Sequence, residues 1–231
     1  MTPFMPRYRA GDIATSLRRR IDSGEWSSDG ALPNERALAA EYGVARNTLR
    51  SALAELEREG LLSRHIGKGT LIKSQAQRQL IGIMTRIAGT SPLDIMNIRL
   101  IIEPEATAAA ATNARSSDLT AIRQAHENAC GEREFAAFGH WDMEFHKRIF
   151  ASTRNDFLTN LHDILMIIRS REPMVAIRQR SFSEPRRLAY CDQHARIVEA
   201  LNSRDAKVAA QAMAAHLAAR RSDAFGIDAK S

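Results

Sequence analysis

LPNERALAAEYGVARNTLRSALAELEREGLLSRHIGKGTLI, residues 32–72, decides how the N-terminal part of the chain folds. Asn34 stands where a short helix over "NERALAAEYG" needs its N-cap, Leu38 points inward, and Gly43 stops the helix. "VARNTLRSALAELEREG" then places Val44, Leu49, Leu53 and Leu56 on the inner face of a second helix ending at Gly60. Two short helices joined by a tight Gly turn read as a helix-turn-helix. The next run, "LLSRHIGKGTLIK", holds two short β-prone segments around Gly-Lys-Gly and suits a hairpin wing. Upstream, "YRAGDIATSLRRRIDSGEW" carries Ile13, Leu17 and Ile21 at spacing four, a narrow apolar stripe on a basic helix that Gly24 ends.

The polar residues fit that geometry. Arg46, Asn47 and Thr48 lie at the start of the third helix, and Arg50 follows one turn later on the face that carries Asn47. A recognition helix puts its N-terminal end into the major groove, where Arg pairs with guanine O6 and N7 and Asn with adenine N6 and N7. Arg36, at the start of the second helix, is placed for phosphate or a base edge. In the wing, Arg64, His65 and Lys68 are placed to follow the adjacent groove, with Gly67 and Gly69 letting the backbone come close. Any one of these arginines reads equally well as a solvated charge. Their joint order along helix, turn, helix and wing is what points to DNA. "GKG" lacks the spacing of a phosphate-binding loop and opens no helix.

The same stretch resembles the winged helix-turn-helix of GntR-family bacterial transcription regulators, matching the L-P-S-E-R, G-V-S-R, V-R-x-A-L-x-x-L and E-G-L-[hydrophobic] pattern almost end to end. The resemblance implies that Arg36, Arg46 and Arg50 contact double-stranded operator DNA and that the wing turn at Gly67 enters the minor groove. Two positions depart from the pattern, Asn34 and Ala45, each where the family has Ser. Ala45 removes a hydroxyl that would cap the recognition helix, a loss of about 1 kcal/mol, and with it one phosphate contact.

Composition bounds the rest. The chain has 231 residues, 44% hydrophobic and 26% charged, enough for one large or two modest domains. Its net charge of +6 favours an acidic partner. No apolar run approaches the roughly 18 residues of a membrane span, and "MTPFMPRYRAGDIATS" lacks the apolar segment of a signal peptide, so no membrane association and a cytoplasmic location are expected. Cys130 and Cys191 are too few for a disulfide framework and are expected as free thiols. A polar seam, "SQAQRQL", suggests a DNA-binding domain over 1–74, a linker over 75–80 and a second domain over 81–231.

That second domain reads as all helical, making the chain mainly α. "SPLDIMNIRLIIEPEATAAAATN" opens on Ser-Pro, carries Leu93, Met96, Leu100 and Ile101 on one side, and contains Pro104, which should bend it. Further helical patterns run near 116–129, 133–152, 155–171, 183–203 and 205–222, giving a bundle of about six helices.

Four polar residues fall on apolar faces of this bundle. Asp142 and His146, in "DMEFH", are four apart and lie with Ile149 and Phe150. His194 shares a face with Ile197, Val198 and Leu201, and His216 with Ala209, Ala212 and Met213. A single inward histidine reads most simply as a satisfied core residue. Three histidines and an aspartate turned inward from three helices are accounted for more simply by one shared cation, since an unpaired buried carboxylate is costly.

"DMEFH", "DQHARIVEALNSRD" and "MAAHL" resemble the D-x-x-F-H, H-x-x-I-x-x-A-L-x-x-x-D and M-x-x-H-L elements of the FCD domain, the effector-binding bundle of the FadR branch of the GntR family. That resemblance implies a divalent metal held by Asp142, His146, His194 and His216, zinc first, with nickel or manganese as alternatives. Asp192 and Gln193 stand where an acidic residue often precedes the third histidine. Arg99 and Glu103 look like the R-x-x-x-E element of the first FCD helix, whose Arg holds an organic acid, although an ordinary ion pair along the helix explains the spacing equally well. Asn155 is a further candidate for the acid, and of the basic run Arg169, Arg171, Arg178 and Arg180 most is expected on the surface. The implied protein is a homodimeric repressor on a pseudo-palindromic operator, controlled by a small carboxylate effector. Two alternatives stand beside it: a sensor in which the metal itself is the signal, and a metal-dependent enzyme with a DNA-docking module.

Overall fold

The computed structural model describes residues 8–26, 30–65 and 69–227. These fall into two compact units, 1–89 and 90–231. Among the described residues there are eleven helices and one two-stranded sheet, and no helix is long and apolar enough to cross a membrane.

The first unit contains α1 (Ala10–Asp22), α2 (Glu35–Glu41), α3 (Arg46–Arg58), β1 (Leu62–His65), β2 (Gly69–Ile72) and α4 (Gln75–Ala88). The apolar stripes meet as one core: Ile13, Leu17 and Ile21 from α1, Leu38 from α2, Leu49, Leu53 and Leu56 from α3, and Leu62 and Ile72 from the hairpin. Asn34 caps α2, its Oδ1 accepting from the Ala37 amide at 2.9 Å. Gly43, which follows α2, has φ of +63°, a left-handed conformation that a side chain would strain, and this sets the tight turn into α3. The N-cap of α3 is Ala45, and no side chain caps that helix. β1 and β2 pair antiparallel with Leu62 opposite Ile72 and His65 opposite Gly69, and the chain around Gly30–Leu32 adds backbone hydrogen bonds along β2. Gly67 and Lys68, the expected tip of the wing, lie outside the described residues.

Residues 75–80, expected as a linker, form the first part of α4. Ser74 and Gln77 make a capping box, Ser74 Oγ accepting from the Gln77 amide at 3.2 Å and Gln77 Oε1 from the Ser74 amide at 3.0 Å. The polar letters that suggested a linker are thus a helix start, and the division between units falls at Gly89 and Thr90.

The second unit consists of α5 (Pro92–Asn113), α6 (Ser116–Gly131), α7 (Phe135–Ser152), α8 (Asp156–Arg169), α9 (Met174–Arg180), α10 (Glu184–Asn202) and α11 (Ala206–Phe225). The Ser-Pro start of α5 is as read, with Ser91 Oγ accepting from the Asp94 amide at 3.1 Å, and Pro104 lies buried inside the helix. α5 packs on α7, α10 and α11, and α6 on α7 and α10. Small residues at these contacts, Ala110, Ala111, Ala125 and Ala209, surround Phe145, Ile149, Ile197, Leu201 and Met213. The two-turn α9 was not anticipated, because its letters fall in the basic run. Cys130 and Cys191 are free thiols.

Candidate metal centre and DNA-contacting face

Asp142 and His146 project from α7, His194 from α10 and His216 from α11, all four fully buried. One ligand atom from each lies within 4.8 Å of every other. His194 Nε2 is 3.3 Å from His216 Nε2 and 3.7 Å from Asp142 Oδ1. Donors bound about 2.0–2.1 Å from a tetrahedral ion stand about 3.3 Å apart, so these separations fit a common cation with little adjustment.

The protonation of the donors agrees. Burial holds His194 and His216 well below the ordinary imidazole range, leaving both neutral, the form that ligates. Burial pushes the Asp142 carboxyl upward, but Arg220, His146, His194 and Arg169 outweigh it and hold the group well below the carboxylate range. Asp142 Oδ1 and His146 Nε2, both buried, have no hydrogen-bond partner. In a purely structural polar core such atoms would be satisfied.

A second layer orients the rings. His146 Nδ1 is 2.8 Å from Glu103 Oε2 on α5, and His216 Nδ1 is 2.8 Å from Gln193 Oε1. When Nδ1 carries the proton toward such an acceptor, the Nε2 lone pair faces the cluster. The ring of His194 stacks on Phe145 at 4.2 Å between centroids. Asp192, the other residue noted before His194, is exposed.

Arg99 is buried, and its Nε donates to Glu103 Oε1 at 2.6 Å. The ion pair read from the R-x-x-x-E spacing is present: Glu103 holds Arg99 with one oxygen and stands against His146 with the other. Arg99 also lines a small cavity together with Arg169, Arg178, Arg220, Met96 and Tyr190. Arg169 and Arg220 reach Asp142 Oδ2 at 3.5 and 3.7 Å, which joins the cavity to the histidine cluster.

Several of these residues were missed or misjudged. Arg169 and Arg178 turn inward, whereas Arg171 and Arg180 are exposed as expected. Arg220 follows His216 by four residues, a spacing that could have flagged it. His162 on α8 is fully buried against Phe150, at 4.4 Å between ring centroids, and burial brings its pKa down to about 3. Asn155 is exposed and caps α8, its Oδ1 accepting from the Leu158 amide at 3.1 Å.

In the first unit, Arg36, Arg46, Asn47, Arg50 and His65 are exposed and Thr48 is half-buried. Glu35, not singled out from the sequence, lies between two of them, with Oε2 2.8 Å from Arg50 Nε and 3.9 Å from Arg46 Nη2. Arg64 is turned onto α3 rather than along the wing: its Nη2 donates to the Arg50 carbonyl at 3.1 Å and its Nε lies 3.3 Å from Glu57 Oε2.

Comparison with known proteins matches residues 9–72 to "Bacterial regulatory proteins, gntR family" and residues 94–219 to the FCD domain. The Exu regulon transcriptional regulator of Escherichia coli K12 is 29% identical over 214 residues, covering 92% of this chain and 83% of that protein. The transcriptional repressor NanR of Citrobacter rodentium is 28% identical over 214 residues, covering 89% and 81%. Among solved structures, McbR/YncC of E. coli shares the fold with a TM-score of 0.52 at 16% identity, covering 94% of this chain and 97% of that one. These relatives are regulators, not enzymes. The chain thus belongs to the GntR family of bacterial transcription regulators, in the FadR-type branch that carries an FCD domain.

Proposed function

We propose that this regulator is a homodimeric repressor whose hold on a pseudo-palindromic operator is set by a small organic acid bound beside a divalent metal. The carrying observation is the link between two features of one bundle, a buried Asp142, His146, His194 and His216 cluster and a cavity whose Arg169 and Arg220 reach Asp142 and whose Arg99 is paired with Glu103, the carboxylate that stands against His146. Three imidazoles and one carboxylate suit zinc, with nickel or manganese as alternatives. Bound there, the ion supplies a Lewis-acid contact for a carboxylate, while Arg99 and Arg169 offer planar guanidinium forks to it.

Arg46, Asn47, Thr48 and Arg50 enter the major groove from each of two recognition helices, with Arg36 and His65 on flanking backbone or base edges. Glu35 holds Arg50 ready and releases it to a base, an exchange that costs little because the Arg50 side chain is more than half exposed. The acid shifts operator occupancy by favouring one arrangement of the bundle over another.

A thermal-shift screen of organic acids on metal-replete and metal-stripped protein tests this reading. A ligand at a hundred times its Kd adds about 2.7 kcal/mol of stability, readily seen as a higher Tm. An acid that stabilises only the metal-replete form supports the proposal, and no acid stabilising either form contradicts it. Operator affinity that tracks free metal and ignores every acid would select metal sensing instead.

A further inference from the structure

Arg99 from α5, Arg169 from the end of α8, Arg178 from α9 and Arg220 from α11 all line the one cavity. Only two carboxylates are paired with them. Glu103 is taken by Arg99 at 2.6 Å, and Asp142 Oδ2 is shared at longer range by Arg169 at 3.5 Å and Arg220 at 3.7 Å. Among the described residues Arg178 makes no ion pair; its Nη1 is 4.0 Å from Met143 Sδ and its guanidinium stands 5.7 Å from the Phe135 ring centroid. Space for it is made by Gly139 on α7, where a Cβ would sit 2.8 Å from Arg178 Nη2. Arg99 Nη2, Arg169 Nε and Arg178 Nε are buried without a hydrogen-bond partner. Arg99 and Arg169 are themselves only 3% and 1% exposed.

Charge counting follows directly. Four guanidinium cations against Glu103 and Asp142 leave two positive charges uncompensated in a buried site, four minus two. Uncompensated buried charge is costly, and a guanidinium cannot shed its proton to escape the cost. Asp142 is also one of the four candidate metal ligands, so a bound cation adds to the excess. A monocarboxylate would cancel only half of the two charges that the side chains alone leave.

We propose that the effector is a dianion, specifically a compact dicarboxylate, with one carboxylate toward Arg99 and Arg169 and the other toward Arg178 and Arg220. The proposal rests on the acid-effector reading above and narrows it. The apolar part of the lining, Met96, Met174 and Ile177 among it, would cover the carbon chain between the two carboxylates.

Isothermal titration calorimetry of the metal-replete full-length protein tests it, with malonate, succinate, malate and glutarate each set against its own monoamide. The monoamide keeps size and shape and removes one charge. At least one diacid should bind tenfold or more tighter than its monoamide. That ratio should fall below threefold in Arg178→Gln and be largely restored in Arg178→Lys, with melting curves showing both variants folded. Monoamides binding as well as their diacids would overturn the dianion and leave the acid reading standing. Inorganic phosphate binding more tightly than every diacid would also overturn it, in favour of a phosphate-bearing ligand. If no diacid or monoamide binds and the thermal-shift screen finds no other acid, the acid-effector reading falls with it.

Discussion

Glu103 stands 2.8 Å from His146 on the neighbouring helix, and its other oxygen holds Arg99 at 2.6 Å, so one buried carboxylate joins the metal-ligand cluster to the arginine cavity. Burial works against ionising Glu103, but Arg99 and His146 outweigh it and keep the group well below the usual carboxylate range. Glu103→Gln should therefore lower metal affinity about 10- to 100-fold, measured by competition with a chromophoric chelator, because it removes the anion that orients His146. The same change leaves Arg99 without its counter-charge, and breaking such a pair costs about 3–5 kcal/mol in a denaturant melt. Unchanged metal affinity in folded Glu103→Gln would show that His146 needs no such support.

The recognition-helix assignment is tested separately. Arg46→Ala and Arg50→Ala should each weaken specific operator binding by about 1–3 kcal/mol, read by fluorescence anisotropy, without a change in melting temperature, since both side chains are more than half exposed. Equal operator affinity in the two variants and the wild type would remove them from the interface.

Ala45 leaves the first amides of α3 without a side-chain acceptor. Ala45→Ser should stabilise the winged-helix unit by roughly 0.5–1 kcal/mol, seen as a higher midpoint in urea, and add a hydroxyl at the phosphate-facing end of the helix. No stabilisation would mean that water already satisfies those amides.

His162 gives the pH dependence a defined sign. Its folded pKa is about 3 against 6.5 for an ordinary imidazole, so the unfolded chain takes up the proton first. The stability tied to this residue is complete above about pH 6.5 and falls by roughly 1.4 kcal/mol per pH unit below it, about 2 kcal/mol by pH 5. His162→Phe should remove that share of the slope and cost little at pH 7, because neither ring nitrogen has a partner to lose. An acid slope identical to that of the wild type would place the proton uptake elsewhere.

Much of this was legible in the letters. Spacing alone placed Ile13, Leu17, Leu38, Leu49 and Leu53 in one core and turned Asp142, His146, His194 and His216 inward, because helix periodicity maps residues to faces. What escaped depends on tertiary placement. Arg169 and Arg178 carry the same charge as Arg171 and Arg180, and only the packing of the helices decides that the first two turn inward, Arg169 buried and Arg178 half-buried. The capping box of α4 looked like a linker, since polar residues that close a helix start are the same residues that fill loops. Asn155 drew notice as a ligand and also caps α8, since a side-chain amide can accept at a helix start with its oxygen and donate to an acid with its nitrogen.

The link from the buried cluster to DNA is tested most directly by operator anisotropy on metal-replete wild type and His194→Ala, titrated with the tightest-binding acid of the calorimetric panel. The wild type should release operator as the acid is added, and His194→Ala should bind the same operator but ignore the acid, since the two functions reside in separate units. A His194→Ala protein that still releases operator at the same acid concentration would contradict control through this site.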